Sequence, residues 1–332
     1  MIVAVVGPTA TGKSDLALDL AQALSDGVRG ARPVAAEIVN ADAFQLYRGM
    51  DIGTAKVPLA ERRGIVHHQV DVLDPDEDAS VARYQADARA DLDAVAGRGA
   101  RAVVVGGSGL YVRALLDHLD FPGTDPVVRA RFEERAESEG GRVLHAELAR
   151  LDPAAADSIG PANTRRVVRA LEVIEITGQP YTANLPRQEY VRPAVQIGLD
   201  CDRETLDTRV AGRVDRMWEA GLVDEVRALA APHQGGTGPG LGATAARAVG
   251  YAEVLRWFAG ERTEDEARAD VVANTRRLAR KQMGWFGRDP RVRWLDAGSR
   301  SLLDEALAVV RAADAGELSP PGEGPVRRSL GS

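Results

Sequence analysis

The residues whose types and spacing could do chemistry begin at the seventh position. Gly7-Pro8-Thr9-Ala10-Thr11-Gly12-Lys13-Ser14 fits G-x-x-x-x-G-K-[ST] and lies between an apolar run and an amphipathic one. In that setting backbone N–H groups of the loop and of the helix start converge on a phosphate. Lys13 adds a point charge, and the Ser14 hydroxyl is an oxygen donor suited to Mg²⁺. The spacing predicts a polyphosphate site without saying which polyphosphate. The run Val103-Val104-Val105-Gly106-Gly107-Ser108-Gly109 has no carboxylate where many P-loop hydrolases carry a metal-orienting acid. The acid comes earlier, in Asn40-Ala41-Asp42-Ala43-Phe44-Gln45, where Asp42 could orient a cation, take a proton from an acceptor, or simply cap its loop. His67-His68 lacks the HExxH spacing and has no cysteine nearby, so it reads as a hydrogen-bonded structural pair and not as a zinc site.

The elements that must position these groups follow from hydrophobic periodicity. Residues 2–6 form a continuous apolar run, a buried strand, and 13–24 repeat Leu16, Leu20 and Leu24 at helical spacing. Further strands are expected over 34–40, 102–105 and 195–200, with a helix over 80–95 whose apolar side carries Val81, Tyr84, Ala88 and Val95. Alternating strand and helix implies an α/β fold, a parallel sheet with helices on both faces. An acid or loop at the carboxyl ends of such strands lies in the crevice where ligands bind. Phe121-Pro122-Gly123-Thr124-Asp125-Pro126 breaks the alternation, and 126–178 reads as helices only. We therefore expect a catalytic core of 1–120 with 190–315, a helical insertion domain over 121–189, and a disordered tail over 316–332. Two long helices are expected over 204–231 and 263–286, with a mobile glycine-rich loop over 235–240 between them.

Composition narrows the classes. The chain has 332 residues with 45% hydrophobic and 27% charged side chains, an ordinary globular mixture. No apolar run approaches the ~18 residues of a membrane span. The opening Met1-Ile2-Val3-Ala4-Val5-Val6 has no basic leader or cleavage site, so it reads as a strand, and a cytoplasmic location is expected. One cysteine, Cys201, excludes a disulfide framework. The net charge of -7 argues against nonspecific coating of nucleic acid but leaves room for a local basic groove. Only three of the 42 basic residues are lysines (Lys13, Lys56 and Lys281), so each marks a place where a compact ammonium is favoured over a guanidinium.

Seven blocks occur together and in order: GPTATGKS, DAFQLYRGMDIGTAK, HH, VVVGGSGLYVRALL, RRVVRALEV, VGYAEV and NTRRLARKQ-GWF. With them, residues 1–296 closely resemble the bacterial tRNA dimethylallyltransferases. The resemblance implies a P-loop-kinase-like core with a helical insertion. It also implies transfer of a dimethylallyl group from dimethylallyl diphosphate, assisted by Mg²⁺, to the exocyclic amine of the adenosine 3′ of the tRNA anticodon.

Carried over by position, Gly7, Pro8 and Thr9 through Ser14 (Thr9, Ala10, Thr11, Gly12, Lys13, Ser14) hold the diphosphate. Arg209 and Arg213 face it from a helix whose other side carries Leu206, Val210, Val214 and Met217. Asp42 is the candidate base, and Asp42, Ala43, Phe44 and Gln45 correspond to a tRNA-contacting run. Ser108, Arg129, the run Arg165, Arg166, Val167, Val168 and Arg169, and the stretch holding Arg276, Arg280 and Lys281 correspond to further tRNA contacts, in the anticodon stem-loop. Arg165 and Arg169 stand one helical turn apart, a spacing that suits successive phosphates. Trp285 and Phe286 could stack bases, but a core role is favoured.

Three positions depart from the family's pattern: Ala43 for Ser, Ser108 for Thr, and Gly284 inside the last block. A monomer is expected. The competing readings are a P-loop small-molecule kinase using ATP, a non-catalytic RNA-binding module, and a prenyltransferase of free adenine nucleotides. The middle and late blocks add nothing to a kinase, the intact loop and Asp42 oppose degeneration, and the basic runs favour a polymeric acceptor.

Overall fold

A computed structural model describes residues 1–27, 33–119, 121–184, 188–231, 240–318 and 329–331. Six strands form one wholly parallel sheet in the order β3-β2-β4-β1-β5-β6. They are β1 (Ile2–Val6), β2 (Ala36–Asn40), β3 (His67–His68), β4 (Arg101–Gly106), β5 (Ala194–Asp200) and β6 (Val292–Asp296). β1 is central and has no exposed residue, as its unbroken apolar sequence requires. Its alternation sorts the two cores. Val3 and Val5 pack with Leu16, Leu20 and Val310 on one face, and Ala4 and Val6 pack with Val104, Tyr111 and Leu115 on the other.

The helix α1 (Lys13–Asp26) follows the phosphate loop, buries Leu16 and Leu20 one turn apart, and stops at Gly27 with φ 64. The first core also takes α12 (Leu302–Ala315). The second takes α2 (Val81–Gly97) and α3 (Gly109–Leu116), with Tyr84 and Tyr111 ring centroids 4.7 Å apart.

The described chain divides into two compact units, Met1–Leu116 with Tyr190–Ser332, and Asp117–Glu189. The second unit is four helices: α4 (Pro126–Ser138), α5 (Gly141–Leu151), α6 (Pro153–Ile159) and α7 (Thr164–Thr177). Asp125 and Asp152 cap α4 and α6, each followed by a proline in the first turn where its missing N–H costs nothing. Phe132, Leu144, Leu148, Val167 and Leu171 form its core. The fully buried Glu172 is held there by Arg129, Arg169 and the Asp125 N–H. Burial pushes its carboxyl up, but hydrogen bonds from the two guanidiniums outweigh this and hold it below the usual carboxylate range.

Two expectations need correction. The helix expected over 204–231 is two helices, α8 (Arg203–Glu219) and α9 (Leu222–Ala230), broken at Gly221 with φ 97. Strands β3 and β6 were not anticipated. The remaining helices are α10 (Tyr251–Phe258) and α11 (Glu264–Phe286). The glycine-rich loop lies almost wholly outside the described residues, as does most of the tail. Of the tail, Leu330 packs against the small cluster of Cys201, Leu206, Val210 and Ala279, and the Gly331 N–H donates to Asp200.

Candidate active site

The phosphate loop bends out of β1 under tight local constraint. Gly7 sits at φ 129, and a Cβ there would strike the Leu199 carbonyl oxygen at 2.7 Å, so only glycine lets the loop leave between β1 and β5. Gly12 at φ 85 starts α1, and Ala10 at φ 65 occupies the left-handed region despite its side chain. Several bonds hold this shape. Thr11 Oγ1 donates to the Pro8 carbonyl at 2.8 Å, and Lys13 Nζ donates to the same oxygen at 2.5 Å. Thr9 is gripped twice: its N–H donates to Gln282 Oε1 at 2.7 Å, and its Oγ1 accepts from Arg213 Nη1 at 3.0 Å.

The loop opens into a cleft of about 900 Å³ lined by Ala10 through Ser14, Arg209, Arg213 and Arg216 of α8, and the segment around Asp51–Lys56. Burial and the neighbouring Arg213 push the Lys13 ammonium down to about 7, while Asp42 works in the opposite direction. Arg213 is also held below its usual value by burial, with Asp42 again opposing and Arg216 adding repulsion. These cations destabilise one another, so a polyanion seated among them relieves their mutual repulsion.

Asp42 follows β2 at the carboxyl edge of the sheet. Its Oδ1 accepts from Phe44 N at 3.0 Å, an Asx turn that shapes 42–45. Ser108, at the end of β4, accepts from Ala43 N at 3.2 Å, and Gln45 Nε2 donates to the Thr54 carbonyl at 3.0 Å. The hydroxyl retained at 108 thus anchors the backbone at 43, where no side-chain hydroxyl stands. Phe44 packs against the core, and α11 runs unbroken through Gly284, where a Cβ would meet open space.

The wall of the cleft is fixed by residues that spacing did not single out. Glu225 of α9 accepts from the N–H groups of Asp51, Ile52 and Gly53 and from Tyr251 OH. Lys56 is buried and donates to Tyr47 O, Asp51 and Asp71, so the scarcity of lysine was a usable signal. Arg216 carried no sequence flag, and Gln282 stood in the last family block with no role assigned. The histidine pair is hydrogen-bonded as expected, His67 Nδ1 to Ile65 O at 2.8 Å and His68 Nε2 to Glu37 at 2.6 Å. Among the described residues no cluster of three metal-ligating side chains occurs.

The candidate tRNA-facing residues divide by environment. Arg165, Arg166, Arg280 and Lys281 are exposed, and among the described residues none of them makes an ion pair. Arg129 and Arg169 are engaged by Glu172. Val167 and Val168 correct the expectation for their run: they are 0% and 4% exposed, inside the helical unit's core, because α7 turns that side inward. Arg276 pairs with Asp207 at 3.4 Å. Phe286 is buried, and Trp285 is half-buried with the Arg113 guanidinium 5.3 Å from its ring.

A parallel sheet with a glycine-rich loop between its central strand and first helix, opening on a cationic cleft, defines an α/β protein of the P-loop type. The chain belongs to the IPP transferase family, whose sequence model matches residues 45–289. It is 57% identical over 309 residues to the tRNA dimethylallyltransferase of Thermobifida fusca, covering 93% of this chain and 94% of that one. It is similar in structure to the tRNA isopentenylpyrophosphate transferase of Bacillus halodurans, with 35% identity, a TM-score of 0.66, and coverage of 95% and 97%. A eukaryotic dimethylallyltransferase acting on tRNA matches with a TM-score of 0.79 at 25% identity, covering 98% of this chain and 82% of that one.

Proposed function

We propose that the protein transfers a dimethylallyl group from dimethylallyl diphosphate to the exocyclic N6 amine of the adenosine 3′ of the tRNA anticodon, releasing diphosphate. The observation that carries this is a cleft whose phosphate loop is crowded by cations, together with a carboxylate, Asp42, near enough to act electrostatically on Lys13 and Arg213. As the allylic C–O bond breaks, negative charge grows on the diphosphate. Lys13, Arg209, Arg213 and the loop N–H groups are the groups that would stabilise it. The amine nitrogen forms the new bond to carbon, and its proton passes to Asp42.

Mg²⁺ fits the site as a partner of the diphosphate. Ser14 offers an oxygen at the start of α1, and among the described residues no cluster of three metal-ligating side chains occurs, so phosphate oxygens and water would supply most of the ion's ligands. It would neutralise charge on the leaving group. The exposed Arg165, Arg166, Arg280 and Lys281 supply phosphate contacts for the anticodon stem-loop. The enzyme so described is monomeric and acts in the cytoplasm. No helix among the described residues is long and apolar enough to cross a membrane.

Incubation with dimethylallyl diphosphate, Mg²⁺ and bulk tRNA, followed by nucleoside analysis, tests the proposal. Dimethylallyl-adenosine is expected. Its absence, together with ATP-dependent phosphorylation of a small alcohol, would replace the proposal with a kinase.

A further inference from the structure

Asn40 ends β2 two residues before Asp42 and is 2% exposed. Its side chain grips both backbone groups of Asp42. Oδ1 accepts from Asp42 N at 3.0 Å, and Nδ2 donates to Asp42 O at 3.0 Å and to Gln69 O at 2.8 Å. A donor and an acceptor in one short planar group are needed for this, which only a carboxamide supplies.

The surroundings hold Asn40 in turn. Tyr84 OH, 2% exposed as a residue, donates to the Asn40 carbonyl at 2.8 Å. Gln69 presents its carbonyl from a left-handed backbone at φ 58, and its side chain donates to Asp91 at 2.7 Å. Asp91 lies 3.4 Å from His68 Nδ1, and His68 is bonded to Glu37, which Arg98 clamps with two hydrogen bonds. His68 is thus part of a frame that ends on Asp42. Within Asp42 itself, Oδ1 is taken by Phe44 N, and among the described residues no hydrogen bond is made to Oδ2.

We propose that Asn40 is a positioning residue for the proton transfer: it fixes the Asp42 backbone so that Oδ2 stays available to the acceptor amine. The inference rests on Asp42 being the base. Misplacement of a reacting group by about 1 Å costs on the order of 10²-fold in rate, so the effect should lie in turnover and not in binding.

The test is a double-mutant cycle. Asn40→Leu keeps the branched heavy-atom shape, though it is bulkier, and removes all three side-chain bonds, and its kcat should fall on the order of 10²-fold. Asn40→Ser keeps a shorter donor and acceptor and should recover part of this, losing roughly tenfold. KM for dimethylallyl diphosphate and Kd for tRNA should stay within about twofold. In an Asp42→Asn background, Asn40→Ser should add less than about twofold, because its only route to the chemistry is gone. A loss that multiplies in that background, or that appears in KM or Kd, overturns the inference. The Asp42→Asn variant alone reports on the base assignment, separately from the cycle. If the leucine variant fails to fold by circular dichroism, the serine variant carries the cycle.

Discussion

Replacing Lys13 by methionine should make the protein more stable and inactive at once. Burial and Arg213 hold the Lys13 ammonium near 7 against an ordinary 10.5. A drop of that size corresponds to about 5 kcal/mol between the charged and neutral forms at ~1.36 kcal/mol per pKa unit. Part of the side chain still reaches solvent, and screening there brings the cost of the ammonium at pH 7 down to ~2 kcal/mol. Losing the Nζ bond to the Pro8 carbonyl gives back ~1 kcal/mol, leaving Lys13→Met more stable by about 1 kcal/mol.

The pH dependence has a definite sign. Between about 7 and 10.5 the unfolded chain keeps a proton that the folded chain has lost, so wild-type stability rises with pH across that window. The variant lacks this rise, and its advantage should disappear by the upper end. Urea denaturation at several pH values measures the difference, and transfer should fall by ~10²-fold or more. A variant less stable at pH 7, or a difference that does not change with pH, would refute the reasoning.

Three further outcomes are expected. Asp42→Asn should lower kcat by ~10²–10⁴-fold with little change in tRNA affinity, and turnover within about threefold of wild type would place the base elsewhere. Arg165→Ala with Arg166→Ala should flatten the salt dependence of tRNA binding by ~0.7–0.9 in log–log slope per arginine, read by filter binding, with no loss of folding stability. Glu172→Gln should destabilise the helical unit by about 1.5–3 kcal/mol, read from its urea midpoint. Because the folded Glu172 carboxyl lies below its ordinary value, the wild type's advantage over this variant should be full at neutral pH and fade as pH falls through the carboxylate range.

Legibility in the sequence tracked how local the determinant was. β1 and the phosphate loop were readable because an apolar run, two glycines and Lys13-Ser14 are contiguous. β3 is a two-residue strand, too short to show any period, and β6 is a sheet edge whose only buried member is Val292. The break between α8 and α9 rests on the left-handed backbone of Gly221, which looks the same in sequence as a tolerated helical glycine. Arg169 suits a phosphate as well as it suits a carboxylate three residues on. The buried Glu172 decides between them, and burial of an acid is a tertiary fact. Gln282 and Glu225 reach their targets across 273 and 174 residues, and no spacing rule connects such pairs.

The electrostatics of the cleft tie the two halves of the proposed reaction together. Asp42 opposes the depression of both Lys13 and Arg213, so its negative charge is part of what keeps those cations charged. When Asp42 accepts the amine proton, that support is lost. In the same step the leaving diphosphate gains negative charge beside the same two cations. The negative charge that offsets Lys13 and Arg213 would thus move from carboxylate to phosphate. A site built this way favours transfer of the proton and departure of the diphosphate together, because either event alone leaves the cations over- or under-compensated at low local dielectric. A cleft with the phosphate loop but without Asp42 should still bind the donor, and it would lose the element that times the release of diphosphate to attack by the amine.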